Sequence, residues 1–256
     1  MSNSRSNNVV ILGGTSGVGF ETAARFAEQG DRVVVMGRDQ RRGDAALAGL
    51  VARVPGADIR FRQVDAANPA DAVRAAADAH ATLGSIDVLM CSTSTSRLPT
   101  LLHKLEPSAI AGWLNEIALP PLHMTQAVLA HMRAARHGSV ILVASDAAKV
   151  PTPGEAVIGA AMAAICMFAR TAAVEAKREG VRINVLTPSL IAGTPGAALI
   201  ATEPFAAKLF AKAAQNAHLG VAESSDLAEL TLFLAGPGSA RMTGQVISVN
   251  GGISVA

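Results

Sequence analysis

Short β-branched runs alternate with longer Ala-rich stretches along the whole chain, and that alternation most constrains the fold. Segments 9–12, 32–36, 59–64, 87–90, 139–144, 182–186 and 245–249 read as buried strands. Between them, 22–28, 44–54, 69–83, 108–136, 155–179 and 224–234 have helical length and composition. Strands that regularly alternate with helices cannot pair as hairpins; they form a parallel sheet with helices on both faces. No linker, charge block or repeat divides the 256 residues, so one core is expected over 9–256, preceded by a disordered polar tail over 1–8. Aromatic residues make up only 3% of the chain against 50% hydrophobic residues, which leaves Ala and Val to pack the layers closely.

The first strand runs directly into Gly13-Gly14-Thr15-Ser16-Gly17-Val18-Gly19. Glycine lets the backbone turn sharply and approach a pyrophosphate, and the helix that follows presents unpaired N–H groups to the phosphates. In this strand–turn–helix setting the motif predicts a dinucleotide site, and the chain a single doubly wound Rossmann domain with a seven-stranded parallel sheet. The second strand ends in Gly37-Arg38 without an acid. An acid there would bond the ribose 2′-hydroxyl of NAD, whereas a base pairs with the 2′-phosphate of NADP. Arg38 therefore favours NADP(H) over NAD(H), with a capping Arg38–Asp39 pair as the alternative.

Bulk properties exclude little else. A net charge of +2 is too mild to argue for nucleic acid, and Arg38, Arg41 and Arg42 form the one basic cluster near a motif. No apolar run is expected to reach the roughly 18–20 residues of a membrane span. Cys91 and Cys166 lie in apolar segments without metal-type spacing, which reads as buried, reduced thiols in a cytoplasmic protein.

The spacing of Gly13, Gly17 and Gly19 resembles that of the short-chain dehydrogenase/reductases, and the likeness extends over nearly the whole chain, although Leu12 stands where those proteins usually carry threonine. The resemblance implies that Asp65, at the end of the third strand, contacts the adenine amino group. It also implies that the loop after 180–189, through Pro188, Ile191 and Thr194, meets the nicotinamide carboxamide. The segment 242–252 resembles the last strand and a turn commonly involved in tetramer packing. A homo- or hetero-tetramer acting on a small-molecule substrate is the matching expectation, and the apolar residues of 155–179 on more than one helix face support it.

The catalytic apparatus departs from the family pattern. Ser145 matches the catalytic serine, but the chain contains no tyrosine at all. The tyrosine position, thirteen residues after Ser145, is Ile158, and the lysine position four residues further on is Met162. In the family, that tyrosine transfers the proton of the alcohol and the lysine lowers its pKa. Isoleucine and methionine do neither. The family asparagine in the long fourth helix corresponds to Ile117, with Asn115 two residues away and Pro120-Pro121 following, and the Asn-Asn-Ala-Gly loop is replaced by Cys91-Ser92-Thr93-Ser94.

Candidate replacements are Asp146, Lys149 and Glu155, with Ser145 the best polar contact for a substrate oxygen. His103 lies in the loop that borders the substrate in the family but reads as a structural or exposed histidine, and His123 and His131 belong to a helix pattern and carry no partner signal. Two kinds of function follow: an atypical NADP(H)-binding oxidoreductase, cyclase or isomerase, or a non-catalytic family member, either an NADP(H)-responsive binding protein or the silent subunit of a hetero-oligomer beside an active relative. The retained cofactor loop favours the first, and the joint absence of Tyr, Lys and Asn favours the second. Hydride transfer to a conjugated alkene suits the first, because solvent can protonate the resulting enolate. Segment 194–215 reads as a small apolar lid with Phe205, Leu209 and Phe210 as its bulkiest members.

Overall fold

The structure, a computed structural model, describes residues 6–256. The part of the expected tail over 1–5 lies outside the described residues. The remainder is ordered sooner than expected: the Asn7 backbone N–H donates to the Asp31 carboxylate at 2.6 Å, and Asn8 already pairs with Arg32 in the sheet.

Seven parallel strands form the central sheet: β1 (Asn8–Leu12), β2 (Arg32–Gly37), β3 (Ile59–Gln63), β4 (Val88–Cys91), β5 (Gly138–Val143), β6 (Val181–Pro188) and a last strand, Val246–Val249. Their spatial order is β3-β2-β1-β4-β5-β6 followed by Val246–Val249. The chain leaves β1 to one side for β2 and β3, then crosses back to lay β4 on the other side. That reversal opens a crevice beyond the carboxyl ends of β1 and β4. The register aligns Leu12 with Cys91 and Cys91 with Leu142, so the loops after β1, β4 and β5 emerge at one edge.

Helices cover both faces. On one side α1 (Gly17–Glu28), α2 (Gln40–Arg53) and the later helix Ser224–Ala235 enclose Val9, Ile11, Val33, Val35 and Leu227. On the other side α3 (Pro69–Leu83), α4 (Ala109–Ala135) and α5 (Ala156–Ala176) enclose Val10, Val34, Leu89, Val140 and Ile183. The alternation along β1, with Val9 and Ile11 facing one layer and Val10 and Leu12 the other, is the period-2 signature of a strand buried on both faces. Helix ends follow local chemistry. Asn68 caps α3 ahead of Pro69, and Gly84 ends it in a left-handed conformation at φ 86°.

One expectation needs correction. The span Ala156–Glu179 is long and apolar enough, by length and composition, to cross a membrane. In this fold it packs on the sheet through one face, with its own Ile158, Ala161, Ile165 and Ala169 in the core. The lid is helical: after the two-residue strand β7 (Ile191–Ala192), which pairs with β8 (Ala222–Glu223), it folds into α6 (Pro195–Ile200) and α7 (Pro204–Asn216). Each of these helices starts with a capping side chain, Thr194 or Glu203, followed by proline. That cap-then-proline pair was the available sequence signal for both. In chain order the helix Ser224–Ala235 is α8 and the last strand, Val246–Val249, is β9.

Candidate active site

A cleft of about 1000 Å³ runs along the carboxyl edge of the sheet. One end lies beside the basic cluster Arg38, Arg41 and Arg42; the cleft then passes Gly13, Thr15 and Gly17 and reaches Ser145, Ile158 and Met162. Gly13 has φ 84°, and any side chain there would collide with the Ser92 backbone. A Cβ on Gly19 would in turn strike the Gly13 carbonyl. The loop is thus folded tightly against β4 and α1, as close backbone approach to a phosphate requires. Ser16, the N-cap of α1, makes no side-chain capping bond, which keeps the helix N-terminus open toward the cleft.

Most of the expected cofactor residues line this cleft: Gly13, Thr15, Ser16, Gly17, Val18, Arg38, Asp65, Pro188, Ile191 and Thr194. Gly19 sits behind them and packs on the loop. Asp39 does not compete with Arg38, because its side chain accepts from the Arg42 backbone N–H at 2.8 Å and caps α2. Asp65 accepts from the Ala67 N–H at 3.2 Å. The Thr194 hydroxyl donates to the Ile191 carbonyl at 2.9 Å and accepts from the Ala197 N–H at 3.2 Å, so it serves first as the cap of α6. Within the described residues, the glycine cradle, open helix terminus and basic end fit a dinucleotide.

At the other end, Ser145 follows β5, and its hydroxyl oxygen accepts from the Ala147 N–H at 3.2 Å. That bond leaves the hydroxyl proton to be donated toward the cleft and polarises it for the purpose. Ile158 and Met162, one turn apart on α5, form an apolar wall. Ile117 is buried in α4, while Asn115 is exposed on another side of the same helix. The helix continues through Pro120 and Pro121, whose missing N–H groups would have bonded the Glu116 and Ile117 carbonyls.

Asp146 and Lys149 do not stand at the cleft. Asp146 is 6% exposed and accepts from Asn250 Nδ2 and from Ser254 Oγ at 2.9 Å. Lys149 Nζ donates to Ser248 Oγ and, at 2.7 Å, to the Ala256 backbone oxygen, and lies 3.7 Å from the Asp146 carboxylate. The two residues tie the turn after β9 to the end of β5, because the short helical turn 146–148 rotates their side chains behind Ser145. His103 is exposed, His123 Nδ1 is within hydrogen-bond distance of the Ala66 carbonyl oxygen at 3.0 Å, and His131 stacks on His80.

Glu155 does reach the cleft. Burial pushes its carboxyl up to about 7, only partly opposed by a hydrogen bond from Thr152. Glu116, beside the asparagine position, is a cleft residue the sequence reading passed over. Burial would raise its carboxyl as well, but hydrogen bonds from Thr95, Arg97 and Ser96 outweigh this and hold it below the usual range. Glu116 Oε2 pairs with Arg97 Nε at 2.7 Å, and Thr95 Oγ1 donates to Oε1 at 2.9 Å. This ion pair pins the unusual loop after β4 onto α4, with the Arg97 guanidinium 5.7 Å from the Trp113 ring centre. Burial raises the Cys91 thiol far beyond physiological pH, which leaves it an inert packing group.

Residues 13–254 match the family model described as enoyl-(acyl carrier protein) reductase. The chain belongs to the short-chain dehydrogenase/reductase family of oxidoreductases. It is 32% identical over 245 residues to the oxidoreductase asL5 of Sarocladium schorii, covering 96% of this chain and 94% of that protein. It is 31% identical to the 3-oxoacyl-[acyl-carrier-protein] reductase FabG of Chlamydia pneumoniae, covering 96% of each. A similar solved structure is the NADPH-bound short-chain oxidoreductase of Pseudomonas aeruginosa PAO1, described as containing an atypical catalytic center. It has a TM-score of 0.86 and 27% identity, over 97% of this chain and 98% of that one.

Proposed function

We infer that this short-chain dehydrogenase/reductase is an NADP(H)-dependent reductase that works without the family's Tyr–Lys pair and holds its substrate oxygen through Ser145. The observation that carries the reading is the continuity of the cleft, from three arginines at the adenosine end to a polarised serine hydroxyl beside an apolar wall. Arg38, with Arg41 and Arg42 beside it, would hold the 2′-phosphate, and the capping role of Asp39 leaves no acid free to favour a 2′-hydroxyl. Gly13, Gly17 and the N-terminus of α1 would hold the pyrophosphate. Asp65 would face the adenine amino group, and Pro188, Ile191 and Thr194 the carboxamide end.

When bound, the nicotinamide supplies a hydride. A carbonyl that accepts hydride becomes a strongly basic alkoxide, and Ile158 and Met162 have no proton to give it. A conjugated alkene is the better-matched acceptor, because its negative charge moves to an enolate oxygen that the Ser145 hydroxyl can donate to. The NADPH-bound relative with an atypical catalytic center is consistent with cofactor binding at an altered site.

The alternative of a non-catalytic subunit in a larger assembly rests on a different feature. Ala160, Ala164, Met167, Thr171 and Val174 form an exposed stripe along α5 at alternating spacings of four and three residues, a surplus apolar face suited to a partner subunit. Titration of the purified protein with NADPH and NADH, read by quenching of protein fluorescence and by calorimetry, tests the main reading. NADPH should bind more tightly, and NADH binding as tightly or more tightly would refute the NADP assignment.

A further inference from the structure

We propose that Glu155 is the proton donor of this site: it lies one helical turn before Ile158 and stands in the wall between the substrate cleft and a small side cavity. The proposal rests on the reductase reading above and adds the group that completes its chemistry.

The geometry begins with the entry to α5. Glu155 is the N-cap residue of that helix, yet its side chain makes no capping bond. Gly154, at φ 84°, turns the chain inward, and the Thr100 N–H grips the Gly154 carbonyl at 2.7 Å. Phe205 of α7 and Pro99 close over Gly154 so tightly that a Cβ there would press on both. The corner is therefore held from two sides, and the half-buried Glu155 lies at the walls of the spaces around it.

Beside the main cleft lies a second cavity of about 100 Å³. Ser145, Glu155, Ser189 and Phe210 belong to the walls of both spaces. The side cavity adds Asp146, Thr152 and Ser254 as polar walls, and its volume accommodates several waters. Glu155 is the one carboxyl that faces both spaces among the described residues.

The charged surroundings are defined. Asp146, on the side-cavity wall, is engaged by Asn250 and Ser254 and has Lys149 3.7 Å away. Arg97 and Glu116 line the cleft as an ion pair. From α7 only Leu209, Phe210 and Ala213 face the side cavity, while Lys208 and Lys212 are exposed. Burial is therefore the dominant influence, and the carboxyl stays largely protonated up to about pH 7. Glu116 is held ionised by its partners and has no proton to give.

The step balances as follows. An enone gains a hydride at its β carbon and one proton from Glu155 at the enolate oxygen or α carbon. The C=C bond is lost, and NADPH leaves as NADP⁺. The Glu155 carboxylate that remains sits at the positive end of α5 and regains a proton from solvent through the side cavity. Ser145 donates to the developing enolate oxygen throughout.

The test uses two readouts on the full chain and the Glu155→Gln variant. The first follows the carboxyl carbons of protein labelled with [¹³Cδ]glutamate by NMR between pH 4 and 9. One resonance should titrate with a midpoint near 7 and be missing from the variant. The second measures NADPH affinity and NADPH oxidation with 2-cyclohexen-1-one and a short series of substituted enones. The variant should bind NADPH as the parent does and lose about 100-fold or more in turnover. Turnover of the parent should fall as pH rises through the NMR midpoint, because only the protonated form donates. A Glu155 midpoint at the ordinary glutamate value overturns the proposal. So does a variant that oxidises NADPH at the parent rate with the same pH profile, although that result leaves the reductase reading standing. NADPH that fails to bind, or is never oxidised across the series, overturns the reductase reading and the proposal together.

Discussion

Replacing Glu155 with glutamine should stabilise the protein at alkaline pH and scarcely at all in mild acid. Burial raises the carboxyl from 4.5 to about 7 on folding, so the folded state binds this proton more tightly than the unfolded chain does. For a group shifted upward the sign is fixed: its contribution is complete below the unfolded pKa and is lost as pH rises through the folded one. Above pH 7 the protein must either bury a carboxylate or unfold the corner that holds it. A displacement of about 2.5 units at about 1.36 kcal/mol per unit makes the full penalty roughly 3 kcal/mol by pH 8.5. Glutamine has nearly the same shape, keeps a partner for Thr152 and carries no charge at any pH. Urea unfolding of parent and variant at pH 5 and pH 8.5, compared as the difference between the two proteins, cancels every other titrating group. The stability difference should move in favour of the variant by about 2–3 kcal/mol between those pH values. A difference that does not change with pH would show that Glu155 is solvated in the native state, and would refute the burial argument on its own terms.

Other expectations follow from the same geometry. Arg38→Ala should weaken NADPH by about 1.5–3 kcal/mol and leave NADH almost unaffected, as read by calorimetric titration; equal losses for both cofactors would place Arg38 elsewhere. Lys149→Met should lower the urea midpoint, because it removes hydrogen bonds to Ser248 and Ala256, yet leave the NADPH affinity unchanged. Loss of cofactor binding in that variant would contradict its position behind Ser145. Light scattering at micromolar concentration should show an oligomer built on the exposed α5 stripe, and Met167→Glu with Val174→Glu should dissociate it.

The alternation of strand and helix, and the glycines after β1, were readable from the sequence because they are local. A strand buried on both faces needs β-branched residues over a few positions, and a phosphate loop needs missing side chains at fixed intervals. Both demands leave their mark within ten residues of chain. The absence of tyrosine is likewise a property of the sequence alone, and it removes a proton donor whatever the fold. Direction is what only the tertiary structure decided. Asp146, Lys149 and Glu155 all follow Ser145 within ten residues, and their spacing did not separate them. The short turn after Ser145 points Asp146 and Lys149 toward Asn250 and Ser248, about a hundred residues distant in sequence. Glu155 is turned inward by contacts from Thr100 and Phe205, which lie on opposite sides of it in the chain. Glu116 escaped notice for a related reason: its partners Thr95 and Arg97 lie about twenty residues before it, and only the packing of the β4 loop on α4 brings them together. A charge's exposure is set by what the rest of the chain lays over it, and that has no local code.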